Sequence, residues 1–173
     1  MSRFFDKTAE LTSTGRYVTK LLVVLYAIAV CLMCFSPQPI MIDGVETPNI
    51  IYLGRLRLLL VPFNTFVSFG QLEGFLEIFL VIAQNMMNIF LLFPLMLGIV
   101  ALFPNVRTWQ KATAVAFAIS LGIETTQLIV DLLYNANRVF EIDDLWTNTL
   151  GGLLAFLVYR WFAKWYQKHQ KVK

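Results

Sequence analysis

Four stretches of this chain, residues 19–35, 75–103, 109–132 and 145–165, are long and apolar enough to be read as crossing a bilayer. A helix needs about 20 consecutive apolar residues to span the hydrocarbon core. A length of 173 residues therefore accommodates four spans in one domain. Composition points the same way: 58% of residues are hydrophobic, 14% are charged and the mean hydropathy is +0.66. Soluble domains carry about 25% charged residues. The expected fold is an all-α membrane protein, a bundle of four transmembrane helices in a single domain over residues 1–173, with an irregular segment at the outer interface.

The first run, LLVVLYAIAVCLMCF, follows Arg16 and Lys20. A cleaved signal peptide is the rival reading, but a polar segment precedes the run and no small-x-small site follows it. Val30 stands where a lipoprotein signal needs a small residue before Cys31. An uncleaved span is expected. Cys31 and Cys34 have no His or Cys elsewhere to complete a metal site and read as small core residues. In the second run Pro94 marks a kink site, because its ring removes an intrahelical bond.

Charge predicts the orientation. With both termini cytoplasmic, the basic residues from Arg3 to Lys20, Arg107, Lys111 and the tail from Arg160 to Lys173 all lie inside. Only Arg55, Arg57 and Arg138 are then outside, which satisfies the positive-inside rule. Trp109, Tyr159, Trp161, Trp165 and Tyr166 would form an inner aromatic belt, and the basic tail, with His169 inside it, an anchor for anionic lipid. The outer segment is broken at Pro37, Pro39, Gly44, Pro48 and Gly54, and its second half is too apolar for a free loop.

Polar groups inside the apolar runs are the functional signal. Glu124, Gln127 and Asp131 are spaced i, i+3, i+7 on one helix face. Eight residues separate Glu124 from the outer end of its span, about 12 Å of depth at 1.5 Å per residue. A carboxylate at mid-membrane costs roughly 2.5–3.5 kcal/mol on insertion scales. Asp144 and Asn148 share a face of the fourth span, and Asn85 and Asn88 lie in the second. Three helices thus carry polar side chains at overlapping depth, which predicts an outward-facing polar pocket with Glu124, Arg138 and Asp144 as candidate catalytic groups. Its candidate ligand-binding residues are Asn85, Asn88, Glu124, Gln127, Arg138, Asp143, Asp144 and Asn148.

Plainer roles stand beside these. Asn85, Asn88 and Gln127 serve equally as interhelical hydrogen-bond partners, at about 0.6 kcal/mol each. Asp143 reads best as the cap of the fourth helix, Arg138 as an ordinary loop cation or a structural partner for Glu124 or Asp131, and Glu124 as a neutral or ion-paired structural group. Gly98, Gly122, Gly151 and Gly152 read as close-packing positions. The chain has no phosphate loop, dinucleotide motif, HExxH or Ser/His/Asp set. No cofactor, metal or nucleic-acid partner is expected, and no reaction is specified.

At these residues the chain resembles the VanZ-like family of small bacterial membrane proteins, whose namesake is linked to teicoplanin resistance. The resemblance is carried by Pro62-Phe63-Asn64-Thr65, by Asn85…Asn88-Ile-Phe-Leu-Leu-Phe-Pro-Leu…Gly98, and by Glu124-Thr-Thr-Gln127. It continues through Arg138, Asp143-Asp144, Asn148 and Gly151, and covers most of residues 58–156. It implies a multi-pass, four-helix domain in the bacterial plasma membrane and a role in the cell envelope. Binding or modification of a lipid or lipid-linked wall precursor is the leading expectation, with Arg55, Arg57 and Arg138 attracting phosphate. A scaffold for another membrane protein is the alternative. A small transporter is disfavoured by the lack of an internal repeat.

Overall fold

The computed structural model describes residues 4–37, 48–67, 70 and 75–170. Arg3, Pro39, Gly44, Lys171 and Lys173 lie outside them. Four long helices dominate: α1 (Ser13–Phe35), α3 (Phe75–Leu102), α4 (Trp109–Tyr134) and α5 (Ile142–Gln170). A single turn, α2 (Asn64–Val67), precedes α3. Among the described residues α1, α3 from Ile82, and α4 are long and apolar enough to cross a membrane. The fourth, α5, is long enough but more polar. Its Thr147 and Asn148 are 0% and 1% exposed, turned into the bundle, while Leu154, Leu157, Val158 and Trp161 face outward.

Helix ends follow local chemistry. Thr12 and Thr108 cap α1 and α4 by accepting from the Gly15 and Lys111 amides, which satisfies otherwise orphaned N–H groups. Asn135 ends α4 in a left-handed conformation, φ 52°, a common helix stop. The Pro94 ring does not interrupt α3, which continues unbroken to Leu102.

The helices meet through small side chains. Ala112, Ala116 and Ala155 are fully buried with Leu92, Met96 and Val100 in a core between α3, α4 and α5. A Cβ on Gly151 would lie 2.0 Å from the Ile89 carbonyl oxygen of α3, and one on Gly152 would lie 2.3 Å from the Ala116 Cβ of α4. Gly98 is similarly closed by Val23 of α1. Gly122 is different: among the described residues nothing lies within 4 Å of a Cβ there, so its small size serves no packing contact with them. Leu21, Leu22, Leu25, Ile28 and Leu32 on α1 face outward, as a lipid-facing helix requires. Cys31 is exposed and only Cys34 is buried.

An all-α fold is corrected in one place. The segment expected to be irregular forms strands β1 (Ile51–Leu53) and β2 (Leu56–Leu59), and β3 (Phe140–Glu141) completes a three-stranded sheet of order β1-β2-β3. Strands β1 and β2 are antiparallel around Gly54, whose φ of 63° the two-residue turn requires. Strand β2 pairs parallel with β3. This sheet sits at the end of the bundle where α1 and α4 finish and α5 begins.

At the opposite end the N-terminal segment folds onto α5. Phe5 packs on Phe162 and Tyr166, and Gln167 donates to the Thr8 carbonyl at 2.8 Å. Nη1 and Nη2 of Arg107 donate to the Glu10 carboxylate, and the same side chain reaches the Val100 and Ala101 carbonyls at the end of α3. The Arg107 group also lies 4.9 Å from the Tyr159 ring centre. Tyr159 is therefore core, 8% exposed, rather than part of an interfacial belt, whereas Trp109, Trp161 and Trp165 are exposed. His169 stacks on Trp165 at 4.6 Å.

Candidate functional site

A cavity of about 560 Å³ opens beneath the sheet. Helix α1 contributes Tyr26, Met33 and Cys34; α3 contributes Gln84 and Asn88; α4 contributes Glu124 and Gln127; α5 contributes Asp144 and Asn148. Arg138 and Glu141 enter from the connection between α4 and α5. Helical spacing puts these residues together: Gln84 and Asn88 are one turn apart, as are Asp144 and Asn148, and Ser120, Glu124, Gln127 and Asp131 form one buried stripe of α4.

The side chains interlock. Glu124 Oε2 accepts the Glu141 amide at 3.2 Å, and Gln84 Nε2 donates to both Glu141 carboxylate oxygens at 3.2 Å. Asn88 Nδ2 donates to Asp144 Oδ1 at 2.5 Å. The Ser120 hydroxyl donates to the Asp144 carbonyl at 3.1 Å and accepts from Asn148 Nδ2 at 3.0 Å. Gln127 Nε2 donates to the Cys34 carbonyl at 3.1 Å. Burial raises the Glu141 carboxyl, in the connection outside the helices, above the ordinary carboxylate range, and the Gln84 donor opposes that rise.

Arg138 occupies the rim. Its Nε and Nη2 donate to the Ser36 carbonyl at 3.1 and 2.7 Å, and Nη2 also reaches the Met33 carbonyl at 2.5 Å. The planar group thus caps the end of α1, where exposed carbonyls carry partial negative charge. Among the described residues the one ion pair is Arg107–Glu10. The expected pairing of the Arg138 guanidinium with Glu124 or Asp131 is not made; its backbone N–H, 3.0 Å from Asp131 Oδ1, makes the contact instead. Asp131, near the end of α4, is 1% exposed because the α4–α5 connection folds over it.

Two of the sequence-derived site residues stand away from the cavity lining. Asn85 is not among the residues that line the cavity. Asp143 does not cap its own helix as expected. Its Oδ1 accepts the Phe63 amide at 2.7 Å and the Trp146 ring N–H at 2.9 Å, and Oδ2 accepts the Asn64 amide at 2.8 Å. Phe63, at φ 56°, packs on Trp146 at 5.4 Å. This clasp ties Phe63-Asn64 to the start of α5 through Asp143. Arg55 instead reaches the Leu132 carbonyl at 3.4 Å, and neither it nor Arg57 lines the cavity.

Gln84, Ser120 and Glu141 complete the site and were not singled out from sequence. The i, i+4 spacing to Asn88 and Glu124 marks Gln84 and Ser120. Glu141 carries no such mark, because its position depends on the sheet. Among the described residues no three His, Cys, Asp or Glu side chains are grouped to hold a metal.

Membrane-length helices packed around a buried, acid-rich polar cavity define a helical membrane protein rather than a soluble domain. The VanZ/LLP1 family model matches residues 23–163, and the chain belongs to that family. No curated protein and no solved structure matches it.

Proposed function

We propose that this protein acts in the bacterial plasma membrane by binding or modifying a lipid or lipid-linked wall precursor, whose head group enters the cavity beneath the sheet. In this reading α5 is a fourth span, both termini are cytoplasmic and the sheet faces outward. The supporting observation is the cavity itself. Five elements of the chain direct polar side chains into about 560 Å³ at one end of an otherwise apolar bundle. A burial of Glu124 this deep is costly without a use. A contribution to glycopeptide tolerance follows if the precursor is one that such antibiotics target.

Native mass spectrometry of detergent-extracted protein tests the reading, with retained lipid as the expected result. A protein that carries no lipid, yet supports an envelope phenotype through co-purification with another membrane protein, would overturn it in favour of a scaffold. Orientation is tested by single-cysteine labelling in intact cells on a background lacking Cys31 and Cys34. An impermeant reagent should label position 55 and not position 167; the reverse would invert the topology.

A further inference from the structure

The hydrogen-bonding roles around the cavity are unbalanced, and the geometry fixes in which direction. The Cys34 carbonyl can only accept, so the nitrogen of the Gln127 amide must face it. Ser120 gives its one proton to the Asp144 carbonyl, so toward Asn148 it can only accept, and the Asn148 nitrogen must face it. Both amide oxygens are thereby left over. Gln127 Oε1 and Asn148 Oδ1 are buried and have no hydrogen-bond partner among the described residues, on side chains whose residues are 8% and 1% exposed. Buried acceptors are ordinarily satisfied.

Most donors at the same cavity are already committed. Arg138 gives Nε and Nη2 to Ser36 and Met33, Tyr26 gives its hydroxyl to the Leu91 carbonyl, and Asn88 and Gln84 give their amides to Asp144 and Glu141. Three carboxyl groups, Glu124, Glu141 and Asp144, line the space against one guanidinium. A phosphate offers only acceptors and negative charge to such a surface. A primary ammonium offers three donors, no acceptor and a positive charge.

We infer that the cavity takes the primary ammonium group of a lipid head group, held by the carboxyl groups of Glu124, Glu141 and Asp144 and by Gln127 Oε1 and Asn148 Oδ1. This inference rests on the lipid reading above and supplies the head-group chemistry. The phosphate of such a lipid stays at the rim, on the side of Arg138.

Full-length protein offered an equimolar mixture of dioleoyl phosphatidylethanolamine, phosphatidylcholine and phosphatidylglycerol separates the alternatives. All three share chains and phosphate. Only the first carries an ammonium with N–H donors, the second a cation without donors, and the third hydroxyls without a cation. Native mass spectrometry should show the ethanolamine lipid retained about five-fold or more over each of the others, the ratio one good hydrogen bond gives. Glu124→Gln should reduce that preference. Equal retention of the choline or glycerol lipid by the wild-type chain would overturn the ammonium assignment alone. Retention of none of the three would overturn the lipid reading and this assignment with it.

Discussion

The two ends of the bundle each hold an arginine against the last carbonyls of a helix, and they differ in what surrounds it. At the end carrying both termini, Arg107 closes α3 and pairs with Glu10. Hydrogen bonding to that carboxylate raises the guanidinium pKa above its ordinary value. At the sheet end, Arg138 closes α1 through carbonyls alone, and burial lowers its pKa. One end has matched its charges and the other has not. The acids of the sheet end, Glu124, Glu141 and Asp144, face a cavity instead of a cation. An unmatched polar end in a well-packed apolar bundle is where function is to be sought, since structure alone gains nothing from it.

The comparison breaks most visibly at Asp143. Asp143→Ala leaves three N–H donors without an acceptor and should lower stability by about 3 kcal/mol or more, read from thermal unfolding in detergent. A loss under about 1 kcal/mol would show that the sheet end does not depend on the clasp. Arg107→Met comes next, at about 2 kcal/mol, because it removes a charged pair and the α3 cap together. Added salt should narrow the gap to wild type, Glu10 being 42% exposed.

Arg138→Lys is expected to cost about 1 kcal/mol, since a single ammonium cannot bridge both α1 carbonyls as the planar fork does. Any envelope phenotype should fall nearly as far with Arg138→Lys as with Arg138→Ala. Full activity of the alanine variant would free the cavity rim of any role. Glu124→Gln should have the smallest effect on unfolding, within about 0.5 kcal/mol, because the amide keeps its shape and the oxygen facing Glu141. It should nonetheless abolish activity, and a fully active variant would reduce Glu124 to a packing residue.

The long helices were legible because twenty-residue apolar runs permit little else. The face shared by Glu124, Gln127 and Asp131 was legible because helical periodicity is local. The sheet was not. Its hairpin turns on Gly54, but its third strand arrives from Phe140–Glu141, and nothing local to residues 51–59 announces a partner that distant. Glu141 was missed for the same reason. Arg138 was read as a partner for acids because opposite charges invite pairing. The carbonyls of Met33 and Ser36 that hold it belong to the backbone, and a sequence shows no pattern for those. Asp143 was correctly read as an acceptor of backbone N–H groups, but they belong to another segment.

The Asp143 clasp also sets an order of events during synthesis. Phe63 is separated from its acceptor by 80 residues. At about 5–20 residues per second, the ribosome takes roughly 4–16 s to deliver Asp143 after Phe63 has been made. For that interval the Phe63 and Asn64 amides and the free edge of β2 have none of the partners that later hold them. Seating of this segment is thus a late event, coupled to arrival of the last helix, and the cavity beneath it cannot be complete before the chain is nearly finished.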